Sequence, residues 1–232
     1  MNYEFDCGCS FPIQDETIKK SDGLPSMHIP YEEIQIALNY GKACPETWKL
    51  VSTGNTKGIF QLESNLGQAW AKRLKPESLE EMAALVSLIR PGTLRAMVDC
   101  GEGKEKSMTQ LYVDRKHHVE EIDYFHTALE PILSSTYGVM TFQEQAMRIA
   151  VDLAGFNEQE ADVLRKAIGK KKADIMAQVK TGFIEGCKKV GLVSDEEAES
   201  IFGWIQESQR YSFNKSHGVG YGVLGYLTAL VK

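Results

Sequence analysis

Ser78-Leu79-Glu80-Glu81-Met82-Ala83-Ala84-Leu85-Val86-Ser87-Leu88-Ile89-Arg90-Pro91-Gly92 is the stretch that sets the fold class. Its first four residues have the pattern of a capping box, in which the Ser78 hydroxyl accepts from the third helical amide and Glu81 reaches back. Leu79, Met82, Leu85, Val86 and Ile89 then follow helical spacing, and Pro91-Gly92 predicts the end of the run. The same grammar recurs downstream. Asn157 to Glu160 opens a helix for which Gly169 is the predicted left-handed stop. Ser194-Asp195-Glu196-Glu197 opens another, with Ala198, Ile201, Phe202 and Ile205 on one face. Phe142 to Leu153 and Ala173 to Lys189 are periodic and end at Gly155 and Gly191.

Few segments after residue 45 read as strands. Upstream, Tyr3 to Ile13 alternates loosely, and Asp22-Gly23 with Pro12, Pro25, Pro30 and Pro45 punctuate the chain, which predicts a short hairpin and an irregular lead-in over residues 1–45. The fold class is mainly α, a helical domain over 46–232 behind a small N-terminal β-hairpin. The pattern of Tyr226 to Lys232 is helical to its last residue with no closing cap, as expected of a truncated chain or of one half of something longer.

The 232 residues, 43% hydrophobic and 25% charged, suffice for one sizeable core or one core with a small appendage. No window approaches eighteen apolar residues, and the N-terminus lacks an apolar signal region. Five cysteines, an odd number, predict reduced thiols and a cytoplasmic protein rather than a disulfide framework. With a net charge of −6, contact with nucleic acid or polyphosphate requires cations gathered in one place.

Two places qualify. Arg165-Lys166-Ala167-Ile168-Gly169-Lys170-Lys171-Lys172 carries five cations in eight residues. Bases at a helix end complement the helix dipole, with Glu158, Glu160 and Asp162 at its start; the same cluster suits a triphosphate, which needs several fixed cations together. The second place is Arg210-Tyr211-Ser212-Phe213-Asn214-Lys215-Ser216-His217. If Ser216 caps the last helix, free amides point at an anion beside Lys215 and His217. Gly218, Gly222 and Gly225 then form a smooth stripe for a flat group or another backbone, the alternative being close helix packing. Cys7-Gly8-Cys9 with Cys44 and His28 is a weak metal pattern, so no metal site is expected here, and His117, His118 and His126 read as surface histidines. No Asp-x-Asp lies on a strand-like run, so the carboxylate pair of a two-metal nucleotidyl-transfer site is missing and no catalytic residue is assigned.

Seven stretches in order resemble the fingers region of the DNA polymerase III α-subunit family, the replicative family C polymerases: Gly58 to Ser64, Leu88 to Gly92, Tyr112 to Lys116, Leu129 to Leu133, Tyr137 to Gln145, Ala161 to Lys172 and Phe213 to His217. The resemblance spans residues 46–232. It implies a helical module that binds the incoming deoxynucleoside triphosphate over a primer terminus. In the family the positions of Arg165 and Lys166 meet the triphosphate; Arg-Arg is common there, so Lys166 gives up the bidentate fork. Lys170, Lys171 and Lys172 extend that cluster, and Lys215, Ser216 and His217 are implied to lie beside the nucleotide. Arg90, Arg115, Lys116 and Tyr211 are the candidate contacts to DNA template. The resemblance further implies two Mg²⁺ held by aspartates of a palm upstream, palm and thumb segments as partners, and a sliding clamp reached through regions beyond position 232. Met1, read as a true start, resembles the split polymerase genes of some bacteriophages.

Overall fold

A computed structural model describes residues 2–4, 10–12, 44–99, 105–170 and 173–232. Near the N-terminus, β1 (Asn2–Glu4) pairs antiparallel with β2 (Ser10–Pro12), Asn2 opposite Pro12, as the expected hairpin. Helices follow: α1 (Pro45–Ser52), α2 (Asn65–Leu74), α3 (Leu79–Leu88), α4 (Pro91–Arg95), α5 (Met108–Lys116), α6 (Glu130–Leu133), α7 (Gln143–Ala154), α8 (Glu158–Lys170), α9 (Ala173–Val190), α10 (Asp195–Ser208) and α11 (Lys215–Leu230). A ribbon absent from the sequence reading, β3 (Met97–Asp99) with β4 (Glu105–Ser107), joins α4 to α5. Its base is pinned by Lys106, whose Nζ lies 2.6 Å from both Asp114 and Glu120.

Two apolar cores organise the helices. The first gathers Trp48, Leu62, Trp70, Leu74, Met82, Leu85, Leu88, Tyr112 and Tyr226 from α1, α2, α3, α5, α11 and the loop before α2. The second gathers Leu133, Ile149, Leu153, Leu164, Phe183, Phe202 and Ile205 from α6 to α10. Between them the chain alternates: Val139 and Phe142 belong to the first core and Met140 to the second. The last helix leaves the second core and returns to the first.

Most predicted helix ends are where the capping chemistry put them. Ser194 and Glu197 form the full reciprocal box, as do Asn157 and Glu160. Gly155 and Gly191 are left-handed, φ 66° and 76°, and stop α7 and α9. Three details differ. Ser78 does accept from the Glu81 amide, but Glu81 turns to the Glu77 amide instead of reaching back to Ser78. Pro91, besides ending one helix, is the first residue of the next, where its missing amide costs nothing. Gly169 is no stop: α8 runs through it to Lys170, and its φ is not positive.

The glycine stripe packs on a backbone. A Cβ at Gly218 would lie 2.7 Å from Ser87 Oγ, at Gly222 2.9 Å from the Ala83 amide nitrogen, and at Gly225 3.2 Å from Met82 Cε. Contacts that descend α3 as they climb α11 make the two helices antiparallel. Of the two readings of the stripe, close helix packing is the one realised. Gly220, on the outer face, has nothing within 4 Å. Gly222→Ala is therefore expected to lower the unfolding free energy by about 1–2 kcal/mol, overpacking against backbone outweighing the gain in helix propensity. Gly220→Ala is expected to raise it by up to about 1 kcal/mol. Urea titrations of the two variants read the opposite signs directly.

Candidate functional site

The α8 cluster is built around one carboxylate. Asp162 Oδ1 accepts from Arg165 Nε and Nη2 at 2.9 and 2.7 Å, and Asp162 Oδ2 lies 2.6 Å from Lys166 Nζ. Hydrogen bonds from Lys166, then Arg165, hold the Asp162 carboxyl below its usual range. The i+3 and i+4 spacing thus sets two cations side by side, with net charge +1, on a solvent-exposed helix face. Lys166 is the more open of the two, its side chain 56% exposed against 33% for Arg165. Lys170 is the last residue of α8. Its side chain, and Lys171 and Lys172 altogether, lie outside the described residues.

The second cluster differs from expectation at its cap. Asn214, not Ser216, is the N-cap of α11, its Oδ1 accepting from the His217 amide at 2.9 Å. Lys215, Ser216 and His217 are the first three helical residues, because the chain enters the helix two residues earlier than the serine suggests. Ser216 and His217 are exposed. The His217 ring lies 4.0 Å from that of Tyr221 and 5.3 Å from that of Phe213. Lys215 Nζ stands 5.8 Å over the Phe142 ring, at the edge of a cavity of about 200 Å³ that Leu79, Glu80, Ala83, Ser135 and Val219 also line.

Arg90 and Tyr211 are brought together. Arg90 donates to the carbonyl oxygens of Ser87 and Tyr211, at 2.6 and 2.9 Å, and its guanidinium lies 4.3 Å over the Phe213 ring. Half-burial lowers its pKa from the ordinary arginine value. It ties the end of α3 to the segment leading into α11, while the Tyr211 ring stays exposed beside Gly92.

Arg115 and Lys116 are not at the surface as template contacts require. Lys116 Nζ sits 2.6 Å from Glu81 Oε1, with only 7% and 10% of the two side chains exposed. The Tyr137 hydroxyl donates to the same oxygen at 2.6 Å, and burial, with that bond, raises its pKa. Arg115 Nη1 donates to the carbonyls of Asp123 and Tyr137. Tyr137 and Gly138 are both left-handed, φ 54° and 76°. A Cβ on Gly138 would overlap the Asp123 carbonyl and press on Arg115 Nη1. The physical reason for the difference is a carboxylate thirty-five residues away in sequence: Glu81, read as a cap residue, recruits Lys116 inward.

Among the described residues no group of three His, Cys, Asp or Glu could hold a metal ion. Cys7, Cys9 and His28 lie outside those residues. Cys44 is buried, its amide donating to the Tyr226 hydroxyl. His117 and His118 are exposed, whereas half-buried His126 accepts from the Ala128 amide and caps the 3-10 turn Thr127–Leu129. The sequence reading gave no role of their own to Glu144 and Phe213, which join α7 to the start of α11; the signal available was the position of Glu144 in a helix first turn.

The molecule is thus a helical module with half-buried Arg165 and exposed Lys166 near the end of α8 and half-buried Lys215 at the start of α11. Residues 32–191 match the family described as the bacterial DNA polymerase III alpha subunit finger domain, and the chain belongs to that family. It is 44% identical over 188 residues to the DNA polymerase III subunit alpha of Aquifex aeolicus (strain VF5), covering 81% of this chain and 15% of that one. The subunit from Thermus aquaticus is 42% identical over 193 residues, again 81% and 15%. That of Bacillus subtilis (strain 168) is 38% identical over 212 residues, 91% and 18%. The chain therefore spans less than one-fifth of the length of these relatives. No helix among the described residues is long and apolar enough to cross a membrane.

Lys116→Ala is expected to lower the unfolding free energy by about 3 kcal/mol, since it strands Glu81 without its cation in a buried site. An exposed phosphate contact would leave stability within about 0.5 kcal/mol. Chemical denaturation separates the two outcomes.

Proposed function

We propose that the chain is the fingers portion of a DNA-directed DNA polymerase, binding the incoming deoxynucleoside triphosphate and the primer-template during replication. The observation that carries this is the pair Arg165 and Lys166, aligned on Asp162 with Lys166 open to solvent and Arg165 half-buried, in a chain of the finger-domain family. A triphosphate competes with one carboxylate for two adjacent cations, and charge-assisted bonds favour the polyanion. Lys170, Lys171 and Lys172 extend this patch, and Lys215 and His217, with Ser216 between them, supply the second set of contacts. Arg90 acts through Tyr211 and Phe213, leaving the exposed Tyr211 ring as the template-side candidate; Arg115 and Lys116 are reassigned to the scaffold.

Residues 46–232 form the fingers domain and residues 1–45 a lead-in. Phosphoryl transfer itself depends on aspartates and Mg²⁺ held by a palm outside this chain, with thumb and sliding-clamp contacts made by further regions, in the cytoplasm. A non-catalytic helical module that binds DNA or protein would share the fold but show no triphosphate specificity.

Two measurements test the reading. The purified chain with Mg²⁺, primed template and all four nucleotides is expected to extend no primer. In the polymerase that carries this chain, Arg165→Ala is expected to weaken triphosphate binding by about tenfold or more, the worth of one charge-assisted contact. Lys189→Ala, at an exposed basic end of α9, is expected to leave binding unchanged. Equal binding by the two variants refutes the assignment.

A further inference from the structure

The start of α11 is held by a residue from outside both basic clusters. Glu144, the second residue of α7, accepts from the Lys215 amide through Oε2 at 2.8 Å and from Asn214 Nδ2 through Oε1 at 3.0 Å. Asn214 then accepts from the His217 amide at 2.9 Å. One carboxylate thus fixes the N-cap and the first helical residue, and the N-cap fixes the third. The backbone reinforces this on both sides of Phe213: its amide donates to the Thr141 carbonyl at 2.9 Å, and its carbonyl accepts from the Gln143 amide at 2.8 Å. Phe142 and Phe213 form a parallel bridge. Because Glu144 also lies in the first turn of α7, its charge sits at the positive ends of two helices at once.

We infer that Glu144 is a positioning residue for the Lys215-Ser216-His217 turn, locking it to α7 and so to the second core that carries Arg165. The inference rests on the reading of that turn as part of the triphosphate site. Glu144 already takes the Lys215 amide that an anion would otherwise use. Nucleotide affinity at this turn therefore belongs to the side chains of Lys215 and His217. A carboxylate near a polyphosphate could instead repel it, which has the opposite sign. Both Glu144 oxygens accept hydrogen bonds and the two helix ends offset its charge, so positioning outweighs repulsion.

The test is steady-state incorporation of a single deoxynucleotide by the polymerase that carries this chain, reading KM and kcat separately. Glu144→Ala is expected to raise the nucleotide KM about tenfold with kcat within about twofold. Glu144→Gln keeps the shape but places an amide donor against a donor, losing one of the two bonds, and is expected to give a smaller rise; it carries the test should the Ala variant unfold. In the Glu144→Ala/Lys215→Ala double variant the two effects are expected to be less than additive, because the side chain being positioned is gone. A KM that falls, an additive double variant, or an unchanged KM in both Glu144 variants while Lys215→Ala raises it, overturns the role of Glu144 and leaves the nucleotide site standing. Lys215→Ala and His217→Ala both without effect on KM overturn the site itself, and the role of Glu144 with it.

Discussion

The approach of α11 to α3 fixes the position of everything at the start of α11. Gly218, Gly222 and Gly225 lie against Ser87, Ala83 and Met82 at distances that admit no Cβ without displacement. Four glycines in eight residues cost a helix several kcal/mol of propensity; close packing offsets that cost at Gly218, Gly222 and Gly225, while Gly220 faces outward. Once the depth of α11 is set, its first turn has little freedom. Lys215 must emerge beside Phe142, and His217 must lie along Tyr221 and Phe213.

Polar contacts brace the segments that connect the helices. Tyr137 reaches Glu81, Arg115 reaches the carbonyls of Asp123 and Tyr137, Ser212 Oγ reaches the Met140 carbonyl, and Phe213 bridges to Phe142. Such contacts are directional and tolerate little sliding, whereas apolar surfaces can shift past one another. Contacts of this type hold the segment before α11 against the segment before α7. The buried Lys116–Glu81 pair belongs to the same design. It is weak evidence for net stability, because desolvation offsets much of its attraction, but removing either partner leaves an uncompensated charge.

Local chemistry was legible in the sequence where it acts over a few residues. The starts at Ser194 and Asn157, the stops at Gly155 and Gly191, and the mainly helical class follow from caps and periodicity. What escaped depended on distant partners. Gly169 looks like a stop but continues a helix, because nothing local forces a glycine to positive φ. Ser216 looks like a cap, yet Asn214 two residues earlier offers its side chain first. Arg115 and Lys116 look like free cations, because a sequence does not show that Glu81 faces Lys116 across a core. Arg165 and Lys166, by contrast, lie on a helix as the periodicity suggested, and the acid that pairs with them, Asp162, is on the same turn.

The paired left-handed residues Tyr137 and Gly138 bear on how such a chain can diverge. Gly138 passes beneath the Asp123 carbonyl and the Arg115 guanidinium with no room for a methyl group, and its backbone angle is one that side chains resist. The position touches no proposed ligand, yet any replacement would have to dislodge Arg115 and the Asp123 carbonyl. Descendants of this sequence are thus free to exchange exposed lysines such as Lys166 long before they can exchange this buried glycine. Sequence drift would leave this left-handed turn more recognisable than the charged surface.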